Sequence, residues 1–597
     1  MPMNYVPPLR DFAFVLDEVL QAPQALRALP AHAGFDGELM MQILEEAGRF
    51  AANVVAPLNA SGDREGCRFE QGAVTTPSGF AGAYARFCEG GWPALACAPE
   101  HGGQGLPQVL DCALYEMLSA ANHGWTMYPG LLHGAYACLA AHGSPALREA
   151  YLDKIASGEW LATMCLTEAH AGSDLGLLRT RAAPGDDGGY RLSGDKIFIS
   201  GGEHDLTGNI VHLVLARLPD AAPGSKGLSL FLAPKLLPDG SRNGIQCTGI
   251  EHKMGIRGSA TCSLRFEQAQ AWLVGEAGRG LAAMFVMMNA ARLHVGVQGL
   301  GLAEAAWQRS LAYAHERRQS RAPVRPAGAQ AADPIALHPA VHKLLMEQRC
   351  RIEGGRMLAC WTGLLLDLAE HDTDADARRR HRDRLEFITP VVKAFLTEQG
   401  FQCASRALQV FGGHGYIVES GIEQYLRDAR ITMIYEGSNE IQGIDFLLRK
   451  VLADDGRRLE DFVALVQADA RRADGGAFEQ QASLLLQAAQ KLRQAAADIA
   501  VGMASNPSLP YFLADEMLRL TGHLALGWMW LRAALRALAA LDCDPAYYNG
   551  KRDAACYYFA FVFPEVLQLF DVVDGCLSTG VPAILSDRHH HAAQEAG

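Results

Sequence analysis

One carboxylate on a turn, Glu436, is the group in this chain best placed to act as a general base. Residues 425–442 read YLRDARITMIYEGSNEIQ. The β-branched residues Ile431, Thr432 and Ile434 bring the backbone to Glu436, Gly437 follows at once, and a new helix starts at Ser438. A glycine beside the acid leaves room for a substrate to approach the backbone. Ile441, Ile444, Leu447, Leu448, Val451 and Leu452 recur at helical spacing and anchor that helix in a core. A lone acid on such a turn is also the pattern of an ordinary cap or ion-pair partner. Its meaning depends on the groups found elsewhere.

Three further stretches carry groups suited to a ligand. Residues 164–176 (MCLTEAHAGSDLG) offer backbone amides, the Thr167 hydroxyl and a Gly172–Ser173 turn able to hold a phosphate. Residues 196–202 (KIFISGG) read as a strand ending on Ser200, and residues 409–416 (QVFGGHGY) as a glycine turn. Taken alone, each glycine turn is more often structural than functional. No GxGxxG follows a predicted strand, and no GxxxxGK[ST], HExxH or GxSxG occurs. That sets aside nicotinamide dehydrogenases, P-loop enzymes, zincins and serine hydrolases. The 14 cysteines show no CxxC pair and no Cys/His ligand spacing, so no metal site is expected and a reducing cytoplasm fits best.

These groups need several folding units to position them. At 597 residues the chain exceeds one core. From Asp36, a plausible cap, to about Asn59 the pattern is an amphipathic helix. Helical segments broken by turns such as HGGQGLP (residues 101–107) continue to about Trp160. From Leu161 the period shortens: KIFIS, NIVHLVLA, GLSLFLA and TCSLRF are strands separated by Gly, Pro and Asp turns, a β-domain of sandwich or barrel type. No proline occurs between Gly280 and Pro323, which predicts one very long helix, with Gly296, Gly299 and Gly301 permitting close helix contacts. Residues 371–386 (HDTDADARRRHRDRLE) read as a solvated connection between two more helices. An Ala/Leu-rich helical region follows Leu452 and ends in a polar stub with His589, His590 and His591, three solvated histidines. No apolar run reaches the length of a membrane span, so stable membrane insertion is not expected, and the amino terminus reads as neither signal nor transit peptide.

Taken together and in this order, CLTEAHAGSD, KMGIRGSAT (residues 253–261), the ERR pair near Arg317, QVFGGHGY and LRDARITMIYEGSNEIQ resemble the acyl-CoA dehydrogenase family. The resemblance spans about Asp36 to Leu452. The opening YVPPLRDFAFVLDEVL, the Asp445–Lys450 run and YYNGKRDAACYYF (residues 547–559) look like a longer subgroup that includes 3-methylthiopropanoyl-CoA dehydrogenase-like enzymes. The fold this implies is α+β: an extension (residues 1–34), an N-terminal helical domain (35–160), a middle β-domain (161–277), a C-terminal helical bundle (278–452) and an additional helical domain (453–597).

The implied reaction is α,β-dehydrogenation of an acyl-CoA thioester to a trans-2-enoyl-CoA. No side chain accepts hydride, so an organic cofactor must; the resemblance names FAD, with electrons passed on to electron-transfer flavoprotein. Glu436 matches the family's base. The position that serves some relatives instead is Ala291, beside Arg292, and holds no carboxylate. Burial beside an apolar acyl chain should overcome the nearby helix dipole and keep Glu436 basic. By family analogy the Glu436 amide joins a flavin hydroxyl in stabilising the thioester oxygen.

For the cofactor, Met164, Leu166, Thr167, Phe198 and Ser200 match positions around the flavin ring, Gly172 and Ser173 a phosphate contact, and Ser438 and Glu440 a further approach. Arg317, Gln409 and Gly413 match contacts made across a subunit interface, which implies a homodimer. Ser173, Asn289, Arg292, Tyr435 and Gly437 are the expected substrate-side residues, with an ion-pair role for Arg292 as the alternative. A DNA-binding flavoprotein relative is a competing reading. From Val451 onward, however, 12 Lys plus Arg stand against 18 Asp plus Glu, a difference of -6, and the whole chain carries -13, which disfavours nucleic acid.

Overall fold

A computed structural model describes residues 5–325 and 331–579. The helices that frame the site are, in chain order, α1 (Gly37–Phe50), α2 (Gln108–Thr126), α3 (Gly280–Glu316), α4 (Pro339–His371), α5 (Ala375–Phe411), α6 (Glu423–Thr432) and α7 (Asn439–Ile444). Beyond them lie α8 (Arg457–Ala470), α9 (Glu479–Met503), α10 (Ala514–Ala539), α11 (Pro545–Tyr557) and α12 (Glu565–Thr579). Asp36 caps α1 as expected, its carboxylate accepting from the Leu39 amide at 2.9 Å.

The long helix is present as α3, 37 residues without interruption. Its glycines let backbones meet. A Cβ on Gly296, Gly299 or Gly301 would lie 2.8 Å from Val392 O, 2.9 Å from Thr397 Cα and 2.6 Å from Glu116 O. α3 therefore seats directly on α5 and α2, and the site residues it carries are fixed to both.

The middle domain is a closed strand ring. Strands β3 (Trp160–Cys165), β4 (Arg181–Pro184), β5 (Tyr190–Ser200), β6 (Asn209–Arg217), β7 (Leu228–Pro234), β8 (Ile245–Ile250) and β9 (Thr261–Val274) follow a small hairpin of β1 (Arg68–Glu70) and β2 (Ala73–Thr75). Pairing runs β6–β4–β5–β9–β7 and returns from β7 to β6, with β3 parallel to β6 and β8 on β9. All strands of the ring but β4 show strongly apolar inner positions, and β6 and β7 are almost wholly buried. The barrel alternative of the sequence reading is the one adopted.

Two expectations are corrected. The charged run 371–386 is not a connection: only residues 372–374 lie between α4 and α5, and the rest forms the first turns of α5. Its charges pair with the additional domain, Arg384 with Asp461 at 2.6 Å, Arg457 with Asp383 at 2.7 Å and Arg458 with Glu386 at 3.3 Å. Repulsion within the run is offset by a facing helix of mixed charge. Two segments also reach the length and apolarity of a membrane span, α3 and Pro545–Ser578. In α3 the apolar window is 67% buried inside the protein, so its apolarity serves helix packing, and Pro564 interrupts the second segment.

The flanks meet each other. Phe12 and Phe14 of the extension are fully buried, Lys551 of α11 pairs with Asp11 (2.6 Å) and Glu353 (2.9 Å), and Arg10 lies 4.1 Å over the Tyr547 ring. The motif YYNGKRD thus holds the amino-terminal segment against the bundle. His589, His590 and His591 lie outside the described residues.

Candidate active site

Glu436 lies in the short link between α6 and α7. The β-branched residues before it close α6 and the turn after it rather than forming a strand. Glu436 adopts φ +56 and Gly437 φ +86, both left-handed. A non-glycine residue there costs about 1–2 kcal/mol, which the surroundings must offset. A Cβ on Gly437 would lie 2.6 Å from Gln442 Nε2. The Gln442 amide stands where a side chain at Gly437 would point, donates to Glu436 O at 3.2 Å and pins the turn. Asn439, first residue of α7, is held from the other side. Lys393 Nζ and Thr397 Oγ1 of α5 donate to its Oδ1 at 3.0 and 3.2 Å, and its Nδ2 donates to Ala394 O at 3.1 Å.

Electrostatics at the turn favour a base. Burial raises the Glu436 carboxyl from the usual carboxylate range to about 7, while Arg292 and Lys393 pull it down less strongly. Among the described residues its carboxylate accepts no hydrogen bond, and its backbone amide donates to no protein acceptor. Arg292 is an ion-pair partner, its Nη1 lying 3.4 Å from Asp445 Oδ2 and 3.4 Å from Asn289 Oδ1. The Tyr435 hydroxyl donates to Gln298 Oε1 at 2.5 Å and lies 3.2 Å from His123 Nε2. Burial lowers His123 to about 3, so this imidazole is neutral. It is aimed at Tyr435 by a break in α2, where Asn122 leaves helical geometry and its side chain recaps the helix at the Trp125 amide. Ser438 occupies the N-cap position of α7 without a side-chain bond to the helix backbone, and its hydroxyl helps hold Glu440 ionised.

The β-domain supplies a second group. The loop after β3 pairs with β5: Ile197 N donates to Thr167 O at 3.0 Å and Lys196 Nζ to Leu166 O at 2.8 Å. Beneath them Glu168 and Lys196 form a buried ion pair at 2.9 Å. Glu168 also accepts from the Arg179 and Thr180 amides and the Thr180 hydroxyl, and these contacts hold it at about 2. Phe198 is 58% exposed at φ +60 on the rim of this loop, with Ser200 half-buried beyond it. Met164 is buried in β3, whereas Gly172 and Ser173 are exposed at the loop's far end, with open space where a Gly172 side chain would stand. The KMGIRGSAT segment links this domain to α6, the helix before Glu436. Ile256 N donates to Asp428 Oδ1 on α6, and Arg427 of the same helix donates to Met254 O at 3.1 Å.

Arg317, Gln409 and Gly413 form a third group, all exposed at the far ends of α3 and α5. Tyr313 stacks on Phe411 with ring centroids 4.1 Å apart, which brings those ends together. From Arg292 to Arg317 the helix advances about 37 Å at ~1.5 Å per residue. Within one chain, then, this group stands well away from Glu436. Sequence reading gave no site role to Lys393, Gln298, His123, Asp445 or the Glu168–Lys196 pair. The lysine left a signal, a lone cation inside the apolar run PVVKAF; the others left none.

Comparison with known proteins bears on the whole arrangement. Family models for the N-terminal, middle and C-terminal domains of acyl-CoA dehydrogenase match residues 38–159, 163–269 and 278–452, and one for an acetyl-CoA dehydrogenase C-terminal-like domain matches 458–578. A 3-methylmercaptopropionyl-CoA dehydrogenase of Ruegeria pomeroyi is 44% identical over 90% of this chain and 92% of its own length. FadE5 of Mycobacterium tuberculosis, a broad-specificity linear acyl-CoA dehydrogenase, is 33% identical over 96% and 97%. Among solved structures, Caenorhabditis elegans ACDH-11 in complex with C11-CoA superposes with TM-score 0.78 at 21% identity, covering 94% of this chain and 91% of its own. A Bacillus anthracis acyl-CoA dehydrogenase complexed with FAD gives 0.75 at 23%, covering 93% and 91%. The two solved structures show the fold; with the family models and the relatives they establish that this chain is an oxidoreductase of the acyl-CoA dehydrogenase family, with the additional C-terminal helical domain.

Proposed function

We propose that the protein oxidises an acyl-CoA thioester between its α and β carbons, with Glu436 removing the α-proton and FAD as the electron acceptor. The observation that carries this reading is the Glu436 carboxylate, free of protein hydrogen bonds and pushed to about 7 by burial. A carboxyl group with that affinity is about half ionised at neutral pH and binds a proton readily. The unpaired Glu436 amide is a donor suited to the charge developing on the thioester oxygen. Arg292, committed to Asp445, acts on the base through its charge.

The residues present fit the cofactor. The exposed Phe198 ring beside the Leu166–Thr167 backbone suits a planar apolar ring, Ser200 offers a hydroxyl, and the open Gly172–Ser173 turn suits a diphosphate. FAD, when bound, supplies the acceptor for the β-hydride that no side chain provides. The distance between Glu436 and the Arg317, Gln409 and Gly413 group supports a homodimer in which that group serves the partner's cofactor. Tyr416, 87% exposed, and the neighbouring Ile417 and Val418 give that end the apolar surface such contact needs. Electron-transfer flavoprotein is the acceptor we favour, and the free cysteines support a reducing cytoplasm. Similarity to the Ruegeria enzyme favours 3-methylthiopropanoyl-CoA among short acyl substrates.

The test is anaerobic titration of the purified yellow protein with acyl-CoAs of graded length, 3-methylthiopropanoyl-CoA included, followed by turnover with a dye acceptor. Bleaching by at least one thioester, lost in Glu436→Gln with flavin retained, is the expected result. A Glu436→Gln protein that still bleaches at the wild-type rate would remove Glu436 from the reaction.

A further inference from the structure

Lys393 stands where a lysine is costly. Its side chain is fully buried on α5, yet among the described residues it meets no carboxylate within salt-bridge distance. Its one side-chain partner is the neutral Asn439 amide oxygen, three residues past Glu436. Isolated buried ammonium groups are strongly disfavoured, so a fold that keeps one needs a compensating group close by. Apolar neighbours on the same helix, Val391, Val392, Ala394 and Phe395, are all buried, and a methionine would fit the surroundings as well.

We infer that Lys393 is a positioning residue for the base: it fixes the first turn of α7 through Asn439 and supplies the positive charge against which Glu436 ionises. The charged groups around the pair are Arg292 on α3, Glu440 on α7, and Asp445 with Arg449 just beyond it. Asp445 is engaged by Arg292 and Arg449, and Glu440 is exposed at the end of its turn. That leaves Glu436, half-buried and accepting no hydrogen bond among the described residues, as the carboxyl group on which Lys393 acts together with Arg292. Burial disfavours the charged form of each group, lowering Lys393 to about 7 and raising Glu436 to about 7, and each charge favours the other. When Glu436 accepts a proton from substrate, Lys393 loses a counter-charge.

This inference rests on Glu436 being the base, and its test separates the two. Carbon-13 labelling of glutamate reports the Glu436 carboxyl titration in the resting protein, assigned by its loss in Glu436→Gln, and needs no turnover. Lys393→Met removes the positive charge and should move the Glu436 midpoint up by about one pH unit or more. Lys393→Arg keeps a permanent charge and should hold the midpoint at or below the wild-type value. The acid limb of the pH–rate profile should follow in the same direction. Asn439→Ala, which breaks the tether and leaves the charge, should lower turnover without raising the midpoint. An unchanged midpoint in Lys393→Met would overturn the inference, whether or not the protein oxidises acyl-CoAs. So would equal midpoints in the Met and Arg variants.

Discussion

Replacing Glu436 by glutamine should stabilise the protein while disabling it, and by an amount that depends on pH in one direction only. The folded carboxyl titrates at about 7 against an ordinary 4.5, because burial outweighs Arg292 and Lys393. At ~1.4 kcal/mol per pH unit, holding it ionised in the fold at pH 8 costs about 3 kcal/mol, and its partial access to water reduces this to about 2. Since the folded state binds the proton more tightly than the unfolded chain, the wild type loses this stability as pH rises from 4.5 through 7. Below 4.5 both states are protonated and nothing is lost. Glu436→Gln carries no charge at any pH, so its advantage over wild type should be small at pH 5 and about 2 kcal/mol at pH 8. A chain of several domains has no single unfolding free energy, so hydrogen exchange in residues 433–444, corrected for intrinsic rates, is the appropriate measure. Exchange protection that is equal at the two pH values, or lower in the variant at pH 8, would refute the claim that desolvation dominates at this site.

Three other perturbations test the supports of the site. Glu168→Gln leaves Lys196 buried without its anion and should cost about 3–5 kcal/mol in denaturant melts, with weakened cofactor retention. In the wild type, Glu168 at about 2 contributes stability that is complete above its ordinary 4.5 and disappears toward pH 2, a limb the variant should lack. Tyr435→Phe strips a partner from Gln298 and His123 and should cost about 1–3 kcal/mol in the same melts. Its turnover should fall far less than that of Glu436→Gln, since the hydroxyl takes no part in proton removal. Lys551→Met removes the cation that bridges Asp11 and Glu353, leaving Asp11 to Arg356 and Glu353 to Arg349, and limited proteolysis should then cut the amino-terminal segment more readily, with about 1–3 kcal/mol of its docking lost.

Most of the architecture was legible because it is written in periodicity. The apolar spacing of α3, its close-contact glycines and the strand-length runs of the β-domain are each set by neighbouring residues. What the sequence hid was the pairing of groups far apart. Residues 371–386 look like a solvated link because of their dense charge, and the facing Lys450, Arg457, Arg458 and Asp461 make them a docking surface. Nothing near Gly437 in the chain announces that the Gln442 amide stands where a side chain there would point. The motif singles out Glu436, whereas its left-handed backbone left no signal, since a glutamate is a poor choice for that conformation.

That backbone explains why one glutamate can be a base and another cannot. Glu168 accepts two backbone amides, the Thr180 hydroxyl and the Lys196 ammonium, and those donors stabilise its charge so well that it titrates at about 2. At neutral pH such a carboxylate has no appetite for a proton. Glu436 precedes a helix, where free amides would ordinarily bind a carboxylate in the same way. At φ +56 the chain turns so that its carboxylate accepts none of the α7 amides, and the start of that helix is secured by Asn439 and Gln442 instead. Burial is then opposed only by Arg292 and Lys393, and it wins, leaving a carboxylate poised at about 7. The strain of the left-handed residue, about 1–2 kcal/mol, is thus the local cost of keeping hydrogen-bond donors away from this carboxylate. If the cost does serve that end, Glu436→Asp should be a poor base even at pH 8. Its shorter arm keeps the carboxylate near the α7 amides, and its midpoint should fall back toward the ordinary aspartate range in the same carbon-13 titration.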